Sequence, residues 1–141
     1  MAAYAVHELT VEINNTGETY VAIGGLESVA ININGEVRDW NEFGYDGWKS
    51  RLLTGKDIEL AFSGKRIEGD TGNDYITSLV DEIGTGANTN IRITWPNGDI
   101  LSMACVVNVT SYGGGASLDV GQLEFSCLSN RVPTFTGDFS A

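Results

Sequence analysis

The stretch IRITWPNGDILSMACVVNV, residues 91–109, decides the fold class. Ile91, Ile93 and Trp95 alternate with Arg92 and Thr94, the period of a strand that buries one face. Pro96, Asn97, Gly98 and Asp99 follow, and an Asn-Gly pair supplies the positive φ that a tight hairpin turn needs. The return strand, residues 100–109, alternates again through Met103, Cys105 and Val107. Two strands joined by so short a turn must run antiparallel, because a parallel pair needs a crossover of a dozen or more residues.

The same period extends outward from this hairpin. Leu9, Val11 and Ile13 alternate with Glu8, Thr10 and Glu12, and residues 20–23 form a short second strand. Val29, Ile31 and Ile33 alternate with Ala30, Asn32 and Asn34. Asn34-Gly35 then predicts another tight turn, with a return through residues 36–40. Ile58, Leu60 and Phe62 mark a further strand, as do residues 118–128, and Pro133 suits an edge strand at 132–135. One segment breaks the period: Tyr75, Ile76, Leu79, Val80 and Ile83 make a single helical stripe over about residues 72–83. Asp70 or Thr71 is its expected N-cap, Asp74 suits its positive first turn, and Gly84 its stop. One helix cannot support a doubly wound fold. The expectation is therefore a mostly β chain, an antiparallel β-sandwich or barrel with one flanking α-helix, forming a single domain over residues 1–141.

Two segments fall outside this pattern. SYGGGAS, residues 111–117, reads as a flexible hairpin tip. NEFGYDGWKSRLLT, residues 41–54, reads as a long loop carrying Phe43, Tyr45, Trp48, Leu52 and Leu53. A loop of that length is usually functional or disordered, and this many apolar groups normally find a surface to cover.

Charge and composition exclude several function classes. The 141 residues carry 8 Lys+Arg against 19 Asp+Glu, a net charge of -11, which argues against a protein that grips nucleic acid through phosphates. Acids dominate the first 48 residues, Glu18 among them. Lys49, Arg51 and Lys56 then arrive with no acid between them, a basic segment suited to an acidic surface on another copy. Residues 1–7 lack the basic and apolar regions of a secretory signal, and no run is long enough to span a membrane. Without a secretory signal, the sequons at Asn14 and Asn108 carry little meaning. Cys105 and Cys127 have neither zinc nor redox spacing and sit on the apolar side of strands, as reduced core thiols of a protein folded in a cytoplasm. The single histidine, His7, is placed in the first strand, which leaves no histidine-based catalytic or metal cluster within one chain. Neither a phosphate loop, a calcium loop, GxSxG nor HExxH is present. Residues 70–74 are read as a helix cap. No catalytic residue, metal or cofactor is expected.

DGWKSRLLTG (residues 46–55), DIELAFSGKR (57–66) and the helix opening GNDY (72–75) resemble the major tail proteins, or tail tube proteins, of long-tailed phages. The resemblance covers about residues 6–128. It implies a β-sandwich with one helix that assembles with itself into hexameric rings, which stack into a tube whose inner sheets line a channel for DNA ejection. Other tail proteins would cap the tube ends, DNA would pass without specific binding, and the chain would not bind membrane. The protein would be made in the host bacterial cytoplasm and reside in the virion tail.

In that family the extended loop touches a neighbouring subunit or ring. The resemblance therefore assigns Phe43, Tyr45, Trp48, Leu52 and Leu53 as apolar anchors, with Lys49 and Arg51 as charge partners. Polar strand faces carrying Glu8, Glu12, Asn32 and Asn34 are the candidates for the channel lining. Two alternatives stand beside this reading. One is the inner tube of a contractile tail or phage-tail-like bacteriocin. The other, of a different class, is a carbohydrate-binding module using Trp40, Tyr45 and Trp48.

Overall fold

The computed structural model describes residues 3–16 and 19–137. Met1, Ala2, Glu18 and the C-terminal residues 138–141 lie outside it, as do the side chains of Asn15 and Thr16 in the Asn14 sequon. Eight strands form one antiparallel sheet: β1 (Thr10–Thr16), β2 (Thr19–Ala22), β3 (Leu26–Asn41), β4 (Lys49–Lys65), β5 (Asn88–Thr94), β6 (Ile100–Tyr112), β7 (Gln122–Ser129) and β8 (Thr134–Thr136). The main path is β2-β1-β5-β6-β7-β4-β3, and β8 also pairs β6. β8 continues the line of β7: Cys105 pairs Ser129 and Ser102 pairs Thr134 on the same strand. The extra residues between them form a break at Asn130–Pro133, bridged by Asn130 N–H donating to Ala104 O at 2.9 Å.

The sheet curls around one core. β1 and β3 stand five strands apart along the path, about 24 Å if the sheet were flat. Yet Leu9 and Val11 line the same cleft as Leu26 and Val29. Inward residues from every layer are buried together: Ile13, Leu60, Ile91, Ile93, Cys105, Leu123 and Cys127 are all fully inaccessible. Phe62 stacks on Phe125 across β4 and β7 with ring centroids 4.9 Å apart. Both thiols are free. The hydrogen bond with Cys105, reinforced by burial, raises the Cys127 thiol well above its usual pKa and keeps it protonated.

α1 (Thr71–Ser78) closes the core against β1, β2 and β6. It is shorter than the apolar stripe predicts. The Thr77 and Ser78 hydroxyls donate to the carbonyls of Asp74 and Tyr75, a local bonding that competes with continued helix. Leu79 is still buried, but Val80 and Ile83 beyond it are exposed. Asp70 caps the helix, accepting from Asn73 N–H at 3.0 Å, and also accepts from Gly24 N–H at 2.9 Å. Asn73 is completely buried. Its amide donates to Gly24 O and Lys65 O, and its oxygen accepts from Arg66 Nη1 and Ile67 N–H. One side chain thus ties the helix start to the β2–β3 turn and the end of β4.

The hairpin at 95–99 forms as the sequence indicates, with Gly98 at φ +97° and its N–H donating to Trp95 O at 2.9 Å. Four other expectations need correction. Asn34-Gly35 is not a turn, because β3 runs straight through it and Gly35 pairs with Lys56. A Cβ at Gly35 would meet only the flexible end of Leu53, at 2.9 Å from Cδ1, so no turn or backbone strain demands the glycine. The long loop at 41–54 contracts to residues 42–48, since Lys49 onward is strand. His7 and Glu8 belong to a short 3₁₀ turn, Val6–Glu8, that precedes β1. β7 also starts later than residue 118, at Gln122.

Asn73→Ala tests the buried tie. It leaves two carbonyls and an amide without partners, so unfolding stability should fall by about 2–4 kcal/mol in urea titration. A loss below about 1 kcal/mol would mean that the network does not hold the helix.

Candidate functional site: the projecting arm

The sequence makes β3 and β4 far longer than the core they serve. β4 pairs with β7 only from Glu59 to Lys65. Before that, its sole neighbour is β3, and the ladder continues from Asn34↔Asp57 out to Asn41↔Lys49. Eight residues at about 3.4 Å each make a two-stranded ribbon roughly 27 Å long. Such a ribbon alone is marginally stable in water. At its tip, residues 43–47 turn through positive-φ Gly44, Asp46 and Gly47, and Trp48 N–H donates to Tyr45 O at 2.9 Å.

A bulge sets which side chains share a face. Glu36 pairs Gly55 but Val37 pairs Leu53, leaving Thr54 as the extra residue, its hydroxyl donating to Glu36 O. Leu53 therefore comes onto the face of Val37, Asp39 and Arg51, while Leu52 joins Arg38 and Trp40 on the other. Lys49 ion-pairs with Asp39 at 3.7 Å, and Arg38 with Glu36. These pairs are exposed and contribute about 0–1 kcal/mol each. The Trp40 indole N–H donates to Glu42 at 2.9 Å.

The arm brings together every proposed anchor. Phe43 is fully exposed, Trp48 is 78% exposed, and Tyr45, Leu52 and Leu53 are exposed as well. Ile33, Val37 and Trp40 extend the apolar surface down the ribbon, which the sequence reading missed because it placed a turn at Gly35. Alternation past that glycine, Val37, Asp39, Asn41, was the available signal.

The proposed lining residues separate into two environments. Glu12 is half-buried on β1 and receives Arg92 at 3.0 Å, with that guanidinium 4.2 Å over the Tyr20 ring. Glu8 lies in the 3₁₀ turn and accepts from Ala5 N–H. Asn32 and Asn34 lie on the outer face of β3, where Asn34 donates to Asp57 at 2.9 Å. Across that face the register aligns Asn32 with Glu59, Ala30 with Ala61 and Ser126, and Ser28 with Ser63 and Glu124. The result is a sheet surface of small side chains and acids, with the exposed Leu128 beside Glu59. Its β7 members, Glu124 and Ser126, were not singled out from sequence, although the alternation in QLEFSCLS places them outward.

Among the described residues, no cluster of three His, Cys, Asp or Glu could hold a metal. No described helix is long and apolar enough to cross a membrane.

The curled sheet, the single helix and the arm define a class seen in solved particle tails. No protein-family model matches the sequence, and no curated protein does. The structure is similar to a chain in the tail of an empty gene transfer agent particle refined with C6 helical symmetry. That match has a TM-score of 0.76 and 20% identity, covering 96% of this chain and 100% of the other. A chain in the virion of a native gene transfer agent particle matches at TM-score 0.73 and 19% identity, over 96% and 100%. A chain in the PVC sheath-tube complex of an extracellular contractile injection system matches at 0.60 and 13%, over 96% and 92%. At these identities the likeness shows the fold: the chain has the fold of tail and tube components of such particles.

Exposure of the tip has a direct optical consequence. In the free subunit, acrylamide quenching should drop more on Trp48→Phe than on Trp95→Phe, since Trp95 packs on the core. Equal effects would mean that the tip is packed within its own subunit.

Proposed function

We propose that this chain is a structural, non-enzymatic subunit of a tail tube: it forms hexameric rings that stack into the conduit through which DNA leaves a virion. One observation carries the reading. A core-anchored ribbon presents a row of large apolar side chains that the subunit itself leaves in water, and the fold matches tail and tube chains along nearly its whole length. The arm, with Phe43, Tyr45, Trp48, Leu52 and Leu53 as anchors and Lys49 and Arg51 beside them, docks on a neighbouring copy or ring.

Magnitudes support closed, repeated contacts over a single pair. Burying Phe43, Trp48, Leu52 and Leu53 contributes about 6–12 kcal/mol, at ~1.5–3 kcal/mol per side chain. Association costs about 4–15 kcal/mol. One arm contact therefore roughly breaks even, and a closed ring or stack, where each copy makes several contacts, is needed for a stable assembly.

The lining follows from charge. The outer face of β3, β4 and β7, with Asn32, Asn34, Glu59, Glu124 and Ser126, suits a wall that repels DNA. Glu12 suits it less, because Arg92 offsets its charge. The chain lies in the virion tail, is assembled in the host cytoplasm and meets other tail proteins at the tube ends. We assign a long non-contractile tail. A second reading, the inner tube of a contractile tail, draws support from the similarity to a contractile sheath-tube chain, and a sheath gene beside this one would favour it.

Negative-stain microscopy of the concentrated protein should show six-fold rings or tubes, and deletion of residues 43–49 should abolish stacking while leaving a β-rich subunit by circular dichroism. A strict monomer at every concentration overturns the reading, and loss of folding on deletion assigns the tip to the subunit's own core.

A further inference from the structure

At the root of the arm lies a surface groove of about 630 Å³. Its apolar walls come from Ile33 and Ile58 on one side and from Val132 and Phe135, around the β7–β8 break, on the other. Val132 is 91% exposed. Lys56 and Arg131 stand at its rim. Arg131 has φ +84°, in the left-handed region, at the break itself.

Two of the chain's eight cations line this groove. Arg38, Lys49, Lys65, Arg66 and Arg92 are all ion-paired. Within the described residues Arg51 on the arm and Lys56 and Arg131 at the groove have no ion-pair partner, and Asp57, the groove's acid, accepts from Asn34. The arm tip carries the complement: Glu42, which accepts from the Trp40 indole, and Asp46, which has no ion-pair partner among the described residues, flank the exposed rings of Phe43 and Trp48. A chain cannot satisfy its own groove, because the unbroken ladder holds the tip roughly 27 Å from the root.

Resting on the tube reading, we infer that the groove at the arm root is the receptor for the arm tip of a second copy of this chain. Phe43 or Trp48 fills the apolar trough while Asp46 and Glu42 meet Arg131 and Lys56. Tip and groove are different surfaces, so the contact is heterologous and propagates head to tail, joining each copy to the next. It explains two features with one contact: the exposed aromatic tip and the cations left unpaired at the root.

The double variant Phe43→Cys/Val132→Cys tests this in the full chain, and both positions are exposed enough to leave folding intact. Oxidised under assembling conditions, it should give a ladder of dimers, trimers and larger species on a non-reducing gel, collapsed by reductant. The native Cys105 and Cys127 are buried and remain silent. Asp46→Lys should slow assembly at least tenfold at low salt, and adding Arg131→Glu should restore most of it. Tubes that form without a ladder, together with normal assembly of Val132→Asp, overturn this contact and leave the tube reading standing. A disulfide confined to single chains overturns it by showing the tip folded onto its own groove. Absence of any wild-type assembly removes both.

Discussion

The ladder between β3 and β4 runs unbroken from the core into solvent, and the rest of the molecule is arranged around that fact. Its inner half, Val29↔Phe62 through Ile33↔Ile58, is one wall of the curled sheet. Among the described residues its outer half pairs with no third strand. The Thr54 bulge puts Leu53 on the face of Val37 without ending the pairing. A hairpin of this kind would be marginally stable if it stood alone, and here the core anchors its root.

The charge distribution makes sense in the same frame. Most cations are consumed within the subunit, by Glu12, Glu27, Glu36, Asp39 and Asp74. That leaves one sheet face small and acidic and, among the described residues, three cations without an ion-pair partner: Arg51 on the arm and Lys56 and Arg131 at its root. A net charge of -11 on every copy opposes indiscriminate association. Contact is then favoured only where an apolar knob and an opposite charge coincide. The buried Asn73 tie fixes the helix start to the scaffold from which the arm projects.

Much of the fold was legible in the sequence, and for physical reasons. At residues 91–109 the alternation, the turn chemistry and the burial all agree, so the hairpin could be read directly. At Asn34-Gly35 they disagreed: the dipeptide has turn chemistry, but the glycine pairs with Lys56 inside a continuing ladder. With a turn placed there, residues 36–40 read as its return strand and residues 41–54 as a loop, so the two halves of the ribbon were not paired with each other. The helix was overextended because its stripe continues through Val80 and Ile83, which the subunit leaves exposed. The anchors were legible as apolar residues out of place. The groove was not, since Ile33, Ile58, Val132 and Phe135 meet only through the sheet's topology.

Hydrogen–deuterium exchange along the arm tests the central claim most directly. In the dilute subunit, amides of residues 35–41 and 49–56 should exchange much faster than those of β5 and β6. In assembled protein the same arm amides should slow by at least tenfold, with the core unchanged. An arm already protected in the dilute monomer, or one that gains no protection on assembly, would contradict the account.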